Sequence, residues 1–153
     1  MRCWLVNAFI FFFGFISGAI ASPDQCERRS LTPVKNMANV LRDHAAWVAS
    51  KDSVSPKGKR ADLSYADLET ATLKDADLRG AILRGAKLQN VSVVGTLRLD
   101  QADLSCVLAE GASLAKANLF QANLVDASLS GAKLQGARLI GARLNGAELA
   151  GAD

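Results

Sequence analysis

The chain has 153 residues, 50% of them hydrophobic, with 18 Lys plus Arg against 15 Asp plus Glu, a formal net charge of +3, and one histidine. So nearly balanced a charge excludes a uniformly acidic or basic surface. One histidine and three cysteines, Cys3, Cys26 and Cys106, form no metal-ligand spacing, so catalytic, cofactor and metal sites are expected to be absent.

Taken in chain order, Arg2 precedes an almost uninterrupted apolar run from Cys3 to Ile20, and Ala19-Ile20-Ala21 offers small residues where a signal peptidase reads. Residues 1–21 are thus expected to be a secretory signal peptide cut after Ala21. The alternative is an uncleaved anchor formed by residues 3–20, the only route by which a membrane enters. Either way the protein is expected outside the cytosol, in the periplasm or extracellular space, or anchored and facing outward. Cys26 follows Ser22-Pro23-Asp24-Gln25, which is no lipid-attachment setting. After cleavage Cys26 and Cys106 are expected to stay free; pairing with each other or bridging two chains are the alternatives.

Residues 22–60 form a second segment. Val34, Met37, Val40, Leu41, His44, Trp47 and Val48 recur at intervals of three and four, which predicts one amphipathic helix over about 31–49, with Thr32-Pro33 at its start. Lys51 to Lys59, with Pro56 and Gly58, reads as a polar linker. The helix is expected to cap the repeats that follow, because an open end leaves leucines and unpaired backbone groups facing water.

From Ala61 to Asp153 the chain repeats every five residues, as in Ala61-Asp62-Leu63-Ser64-Tyr65 and Ala66-Asp67-Leu68-Glu69-Thr70. That period fits neither a helical turn nor flat-strand alternation and points to a solenoid with one small and one large apolar residue per side. The central leucines are the expected core: Leu63, Leu68, Leu73, Leu78, Leu83 and Leu88, then Leu99, Leu104, Leu114, Leu119 and Leu124, and finally Leu129, Leu134, Leu139, Leu144 and Leu149. Thr96 is one residue too many beside Gly95 and reads as a bulge. In Val107-Leu108-Ala109 the order of sizes is reversed, with Val107 compensating for Ala109.

These pentapeptides resemble the pentapeptide-repeat family, in a secreted bacterial form. The resemblance implies an all-β fold, a right-handed quadrilateral β-helix with four pentapeptides to a coil, here carrying an N-terminal α-helical cap. It also implies that the alanines at the positions of Ala61 and Ala66 point inward and that dimers form through the C-terminal coil.

Continuing such coils through Thr96 aligns Asp62, Ile82, Asp103, Asn123 and Arg143 in one column, and Asp77, Arg98, Asn118 and Arg138 in another. Family members that confer resistance resemble DNA to gyrase through strongly acidic faces. These mixed columns make a DNA mimic that engages gyrase only an alternative reading. Lys133, Arg138 and Arg143 lack the aromatic interleaving of a nucleic-acid site, so nucleic acid is not an expected partner. An enzyme with a site near His44 is the remaining, remote alternative. The leading expectation is a non-catalytic, secreted structural or protein-interaction module whose partner is an unknown protein. Phe120 and Ile140 fall on one face with Val125 on the next, which makes these three the candidate interaction patch.

Overall fold

The computed structural model describes Cys26, residues 29–91, Val93 and residues 95–153. The expected signal peptide lies outside these residues. Among the described residues no helix is long and apolar enough to cross a membrane.

The repeats build themselves from backbone accounting. In Ala61-Asp62-Leu63-Ser64-Tyr65 the Leu63 and Tyr65 N–H groups donate to the carbonyls of Ile82 and Arg84, at 2.7 and 2.8 Å. In return, Ile82 N–H donates to Ala61 O at 2.9 Å, and the turn closes through Ala66 N–H to Leu63 O at 3.0 Å. The Ser64 N–H goes instead to its neighbour's carboxylate, Asp62 Oδ1, at 3.1 Å. The same bond recurs from Glu69 to Asp67, Arg79 to Asp77, Ser105 to Asp103 and Phe120 to Asn118. Asp or Asn before the central leucine therefore supplies the acceptor that an Asx turn needs, which is a structural reason for the acidic residues of the repeat.

The residue two after most central leucines carries the turn in the left-handed region: Tyr65, Asp75, Gly80, Gly85 and Asn90 all have positive φ, whereas Thr70 does not. Where it occurs, the left-handed residue ends the extended run before a strand can lengthen. What remains is a ladder of isolated parallel bridges, Asp62 to Ile82 to Asp103 to Asn123 to Arg143 in one column and Asp77 to Arg98 to Asn118 to Arg138 in another. The pairing crosses Gly95-Thr96 in Ile82↔Asp103, Lys87↔Leu108 and Asp77↔Arg98. There one extra residue is absorbed, with Gly95 at φ 106° and Thr96 N–H donating to Asp75 Oδ1 at 3.0 Å.

The expectation of an all-β, right-handed quadrilateral β-helix is accordingly corrected. The strands among the described residues are β1 (Thr32–Pro33) and β2 (Ala66–Asp67), paired in parallel as one open two-stranded sheet. With α1 (Met37–Ser50) they are all the named elements among the described residues, and the sheet does not curl into a closed solenoid. The physical reason is the left-handed turn residue, which leaves one bridge where a β-helix needs strands.

The core runs through the repeats. The central leucines from Leu63 to Leu129 are buried together with Ala61, Ala66, Ala81 and Ala86. Leu134, Leu139 and Leu144 are partly buried, and Leu149 is 41% exposed. Val107 and Ala109 are both buried, so their reversed sizes fill the same space.

Helix α1 begins at Met37, with the Asn36 side chain capping Asn39 N–H at 3.2 Å. Thr32-Pro33, expected to open the helix, instead forms β1, with Thr32 N–H donating to Tyr65 O at 2.9 Å. Val34, Met37, Val40 and Leu41 pack onto the core. The linker turns back on the helix: Lys59 N–H donates to Asp43 O at 3.1 Å, and Ala61 N–H to His44 Nδ1 at 3.0 Å. Gly58 makes this return feasible, because at φ 73° a Cβ there would lie 2.1 Å from Asp43 O.

Candidate functional site

Two surfaces of the molecule are candidates for function: a side of the repeats covered by the N-terminal segment, and the outward columns left open. On the covered side Tyr65, Gly85, Cys106 and Asp126 all adopt the left-handed turn conformation. Tyr65 lies over Gly85, where a Cβ would come within 2.6 Å of its ring. Arg29 also stands over the Tyr65 ring, 5.2 Å from its centroid.

Cys26 is bonded to Cys106 with a Cα–Cα distance of 5.4 Å. The expectation of two free thiols is therefore overturned. Seen along the chain, Cys26, Arg29 and Thr32 form a strap that contacts Cys106, then Tyr65, then the Tyr65 carbonyl. This cover explains why Ser105 and Cys106, at positions expected to face solvent, are only 4% and 7% exposed. Asp126 approaches the two sulfurs, with all three donor atoms within 4.8 Å of one another. Because both sulfurs belong to the disulfide, no thiolate is available there as a metal ligand.

The outward columns mix signs, including where α1 approaches them. Asp77 meets Arg79 at 2.7 Å and Arg98 at 3.7 Å. Burial pushes its carboxyl up, but the Arg79 hydrogen bonds and the Arg79 and Arg98 charges outweigh it and hold the carboxyl below its ordinary range. Asp103 behaves alike: burial raises it, while bonds from Ser105 and Asn123 prevail and lower it. These carboxylates are engaged in turns and cross-level bonds, an arrangement that serves structure.

Of the three candidate interaction residues, Ile140 is 65% exposed, whereas Phe120 and Val125 are half-buried. Phe120 and Ile140 lie on successive levels, since Gln121 N–H donates to Ile140 O at 2.9 Å. Val125 is not brought to them; its carbonyl accepts from Cys106 N–H at 2.9 Å, beside the strap. His44 is fully buried against Trp47, with ring centroids 5.4 Å apart. A groove of about 630 Å³ runs between α1 and the repeats, with Val34, Met37 and Leu41 facing Glu69, Thr70 and Thr72. The sequence pattern did not reveal the strap or this groove; the signal for the strap was Cys106 standing where other repeats place Gly, Asp or Gln.

A family model for pentapeptide repeats matches residues 59–96 and 122–153 in eight copies. A pentapeptide repeat protein of the Arabidopsis thaliana thylakoid lumen is 30% identical, over 68% of this chain and 74% of its own, with a TM-score of 0.35. The chain belongs to the pentapeptide-repeat family. It is also 36% identical to a pentapeptide repeat protein of the cyanobacterium Cyanothece, over 67% of this chain and 64% of that one, with a TM-score of 0.36. HetL of Nostoc sp. strain PCC 7120, a pentapeptide repeat protein involved in heterocyst differentiation regulation, is 45% identical over 58% of this chain, with a TM-score of 0.32. The chain spans 64% and 36% of the lengths of these two cyanobacterial proteins. No curated protein matches the chain.

Proposed function

We propose that this chain is an exported interaction module of the bacterial secreted type, acting in the periplasm or outside the cell. The observation that carries the reading is the Cys26–Cys106 disulfide, since such bonds persist in oxidising compartments and are rare in the cytosol. The apolar run from Cys3 to Ile20 and the small residues Ala19 and Ala21 support the same reading. The partner is a protein, met by the outward side chains of the repeats, with Ile140 as the anchor and Phe120 beside it. A second copy is one such partner, paired through the C-terminal coil as the family resemblance implies.

N-terminal sequencing and thiol alkylation of the protein recovered from each cell fraction test the export reading. A product beginning at Ser22, outside the cytosol and without alkylatable thiols, is expected. Recovery in the cytosol with Met1 intact and both thiols reactive would remove it. Light scattering at about 100 μM, far above the Kd of most specific pairs, tests the pairing: dimers are expected, and a strict monomer refutes it.

A further inference from the structure

Helix α1 and the first repeats meet at one buried imidazole. His44 is 0% exposed, and its Nδ1 accepts the Ala61 N–H at 3.0 Å. A ring nitrogen that accepts carries no proton, so the contact requires the neutral tautomer with its hydrogen on Nε2. Nε2 is itself buried and makes no well-formed hydrogen bond, the Arg79 backbone carbonyl being the acceptor that it faces. The Trp47 ring stacks on one side of the imidazole at 5.4 Å, and the Arg60 guanidinium lies 6.0 Å from that indole. The charged groups that face His44 are Arg60 from the linker and Asp77 and Arg79 from the repeats. Asp77 is already held by Arg79 at 2.7 Å and Arg98 at 3.7 Å, so it is no dedicated counter-ion for an imidazolium.

We propose that His44 is an acid-released clasp: its neutral ring holds α1 on the first repeats, and a second ring proton lets the helix go. The proton comes from solvent and lands on Nδ1, turning the acceptor into a donor that confronts the Ala61 N–H. That N–H is then stranded, and a cation sits in a fully buried site beside two guanidinium groups. Burial, the largest influence, pushes the imidazole below its ordinary value of 6.5; Arg60 and Arg79 act the same way, while Asp77 and the Arg79 backbone carbonyl oppose them. With the closed state the weaker base, the open state binds more protons, so closure is complete above the ordinary value and is lost as pH falls below it. Release uncovers the surface on which Met37, Val40 and Leu41 pack, along the groove already open beside Met37 and Leu41. The clasp makes that apolar surface available in mildly acidic surroundings, and it does not depend on where the protein acts.

Hydrogen exchange of the full chain, corrected for intrinsic rates, tests this by comparing helix 37–50 with repeats 112–132. Between pH 7.5 and 5.0 the helix is expected to lose about tenfold protection relative to the repeats, which is about 1.4 kcal/mol in its opening equilibrium. H44Q keeps an acceptor for Ala61 and does not titrate in this range, so its helix is expected to show no such loss. D77N removes the opposing carboxylate, makes the closed imidazole a still weaker base, and is expected to deepen the loss of helix protection below about pH 6.5. An unchanged transition in H44Q, or no wild-type transition above pH 5, overturns the clasp. If H44Q leaves the helix unprotected at pH 7.5, D77N decides: a larger loss of helix protection than the wild type between pH 7.5 and 5.0 upholds the clasp, and an equal one refutes it.

Discussion

The repeats and the segment that covers them are held by opposite strategies. In the repeats every level makes the same few bonds, so the loss of one leaves equivalent bonds above and below it. The N-terminal cover is held by unlike contacts that occur once each: Cys26 to Cys106, Arg29 to Tyr65, Thr32 to Tyr65 and His44 to Ala61. The repeated region should therefore fail only when its shared core is breached, while the cover can be detached by a single chemical change.

The largest expected effect breaches the core. Leu124 is 1% exposed with neighbouring levels on both sides, so Leu124→Asp places a carboxylate where no partner exists and should cost more than about 4 kcal/mol. Thermal melting should show loss of the cooperative transition; a melt within a few degrees of the wild type would mean that the levels do not share one core.

Next in size is the strap. The disulfide closes a separation of 80 residues, so Cys26→Ser should cost roughly 2–4 kcal/mol by the chain-entropy argument. The comparison predicts where this loss falls: exchange should rise in residues 29–50 while the repeats from Ala112 onward keep their protection. Equal loss in both regions would show that the strap stabilises the whole molecule as one unit.

Much of the repeated region was legible because its period is a direct record of which side chains share the interior. Leucine and alanine recur at fixed places, and the one extra residue at Thr96 set the column registers that the bridges follow. The β-helix expectation failed because hydrophobic period reports burial and says nothing about how long a chain stays extended. That length is set by Tyr65, Asp75, Asn90 and their equivalents, ordinary residues in left-handed turns that a composition reading treats as solvent-facing. The cover was legible only in part. Its helix has a period, but β1 and the strap are single contacts between residues far apart in sequence, and no local pattern encodes that Cys26 reaches Cys106. The candidate patch suffered likewise: spacing aligned Phe120 with Ile140 correctly, yet could not tell that Val125 lies beside the strap.

Acid should separate the regions by pH. Asp77 and Asp103 have carboxyls held below their ordinary range, so their stabilisation is present above about pH 4 and is lost as pH falls through the lowered values. Circular dichroism and melting of the repeats should therefore be flat from pH 7 to about 4.5 and fall below that. Asp103→Asn should flatten that acid limb, at a cost of about 1 kcal/mol at neutral pH, because the amide oxygen still accepts from Ser105. An acid limb identical in D103N would show that other groups govern it.

The smallest expected effect tests whether the repeats leave any side chain free of the fold. Ile140 is 65% exposed, and the bond its level makes uses its backbone carbonyl, which accepts from Gln121 N–H. Ile140→Asp keeps that carbonyl and places a charge in water, so the melting free energy should change by less than about 0.5 kcal/mol. Phe120, half-buried on the level before, should be less tolerant, and the contrast between the two separates packing from exposure. If Ile140 is the anchor of a protein partner, I140D should abolish partner recovery from an extract while leaving the melt unchanged. Recovery equal to the wild type would remove the patch, and a large drop in stability would return Ile140 to the fold. Only a position whose loss the repeats do not register is free to be read by something else.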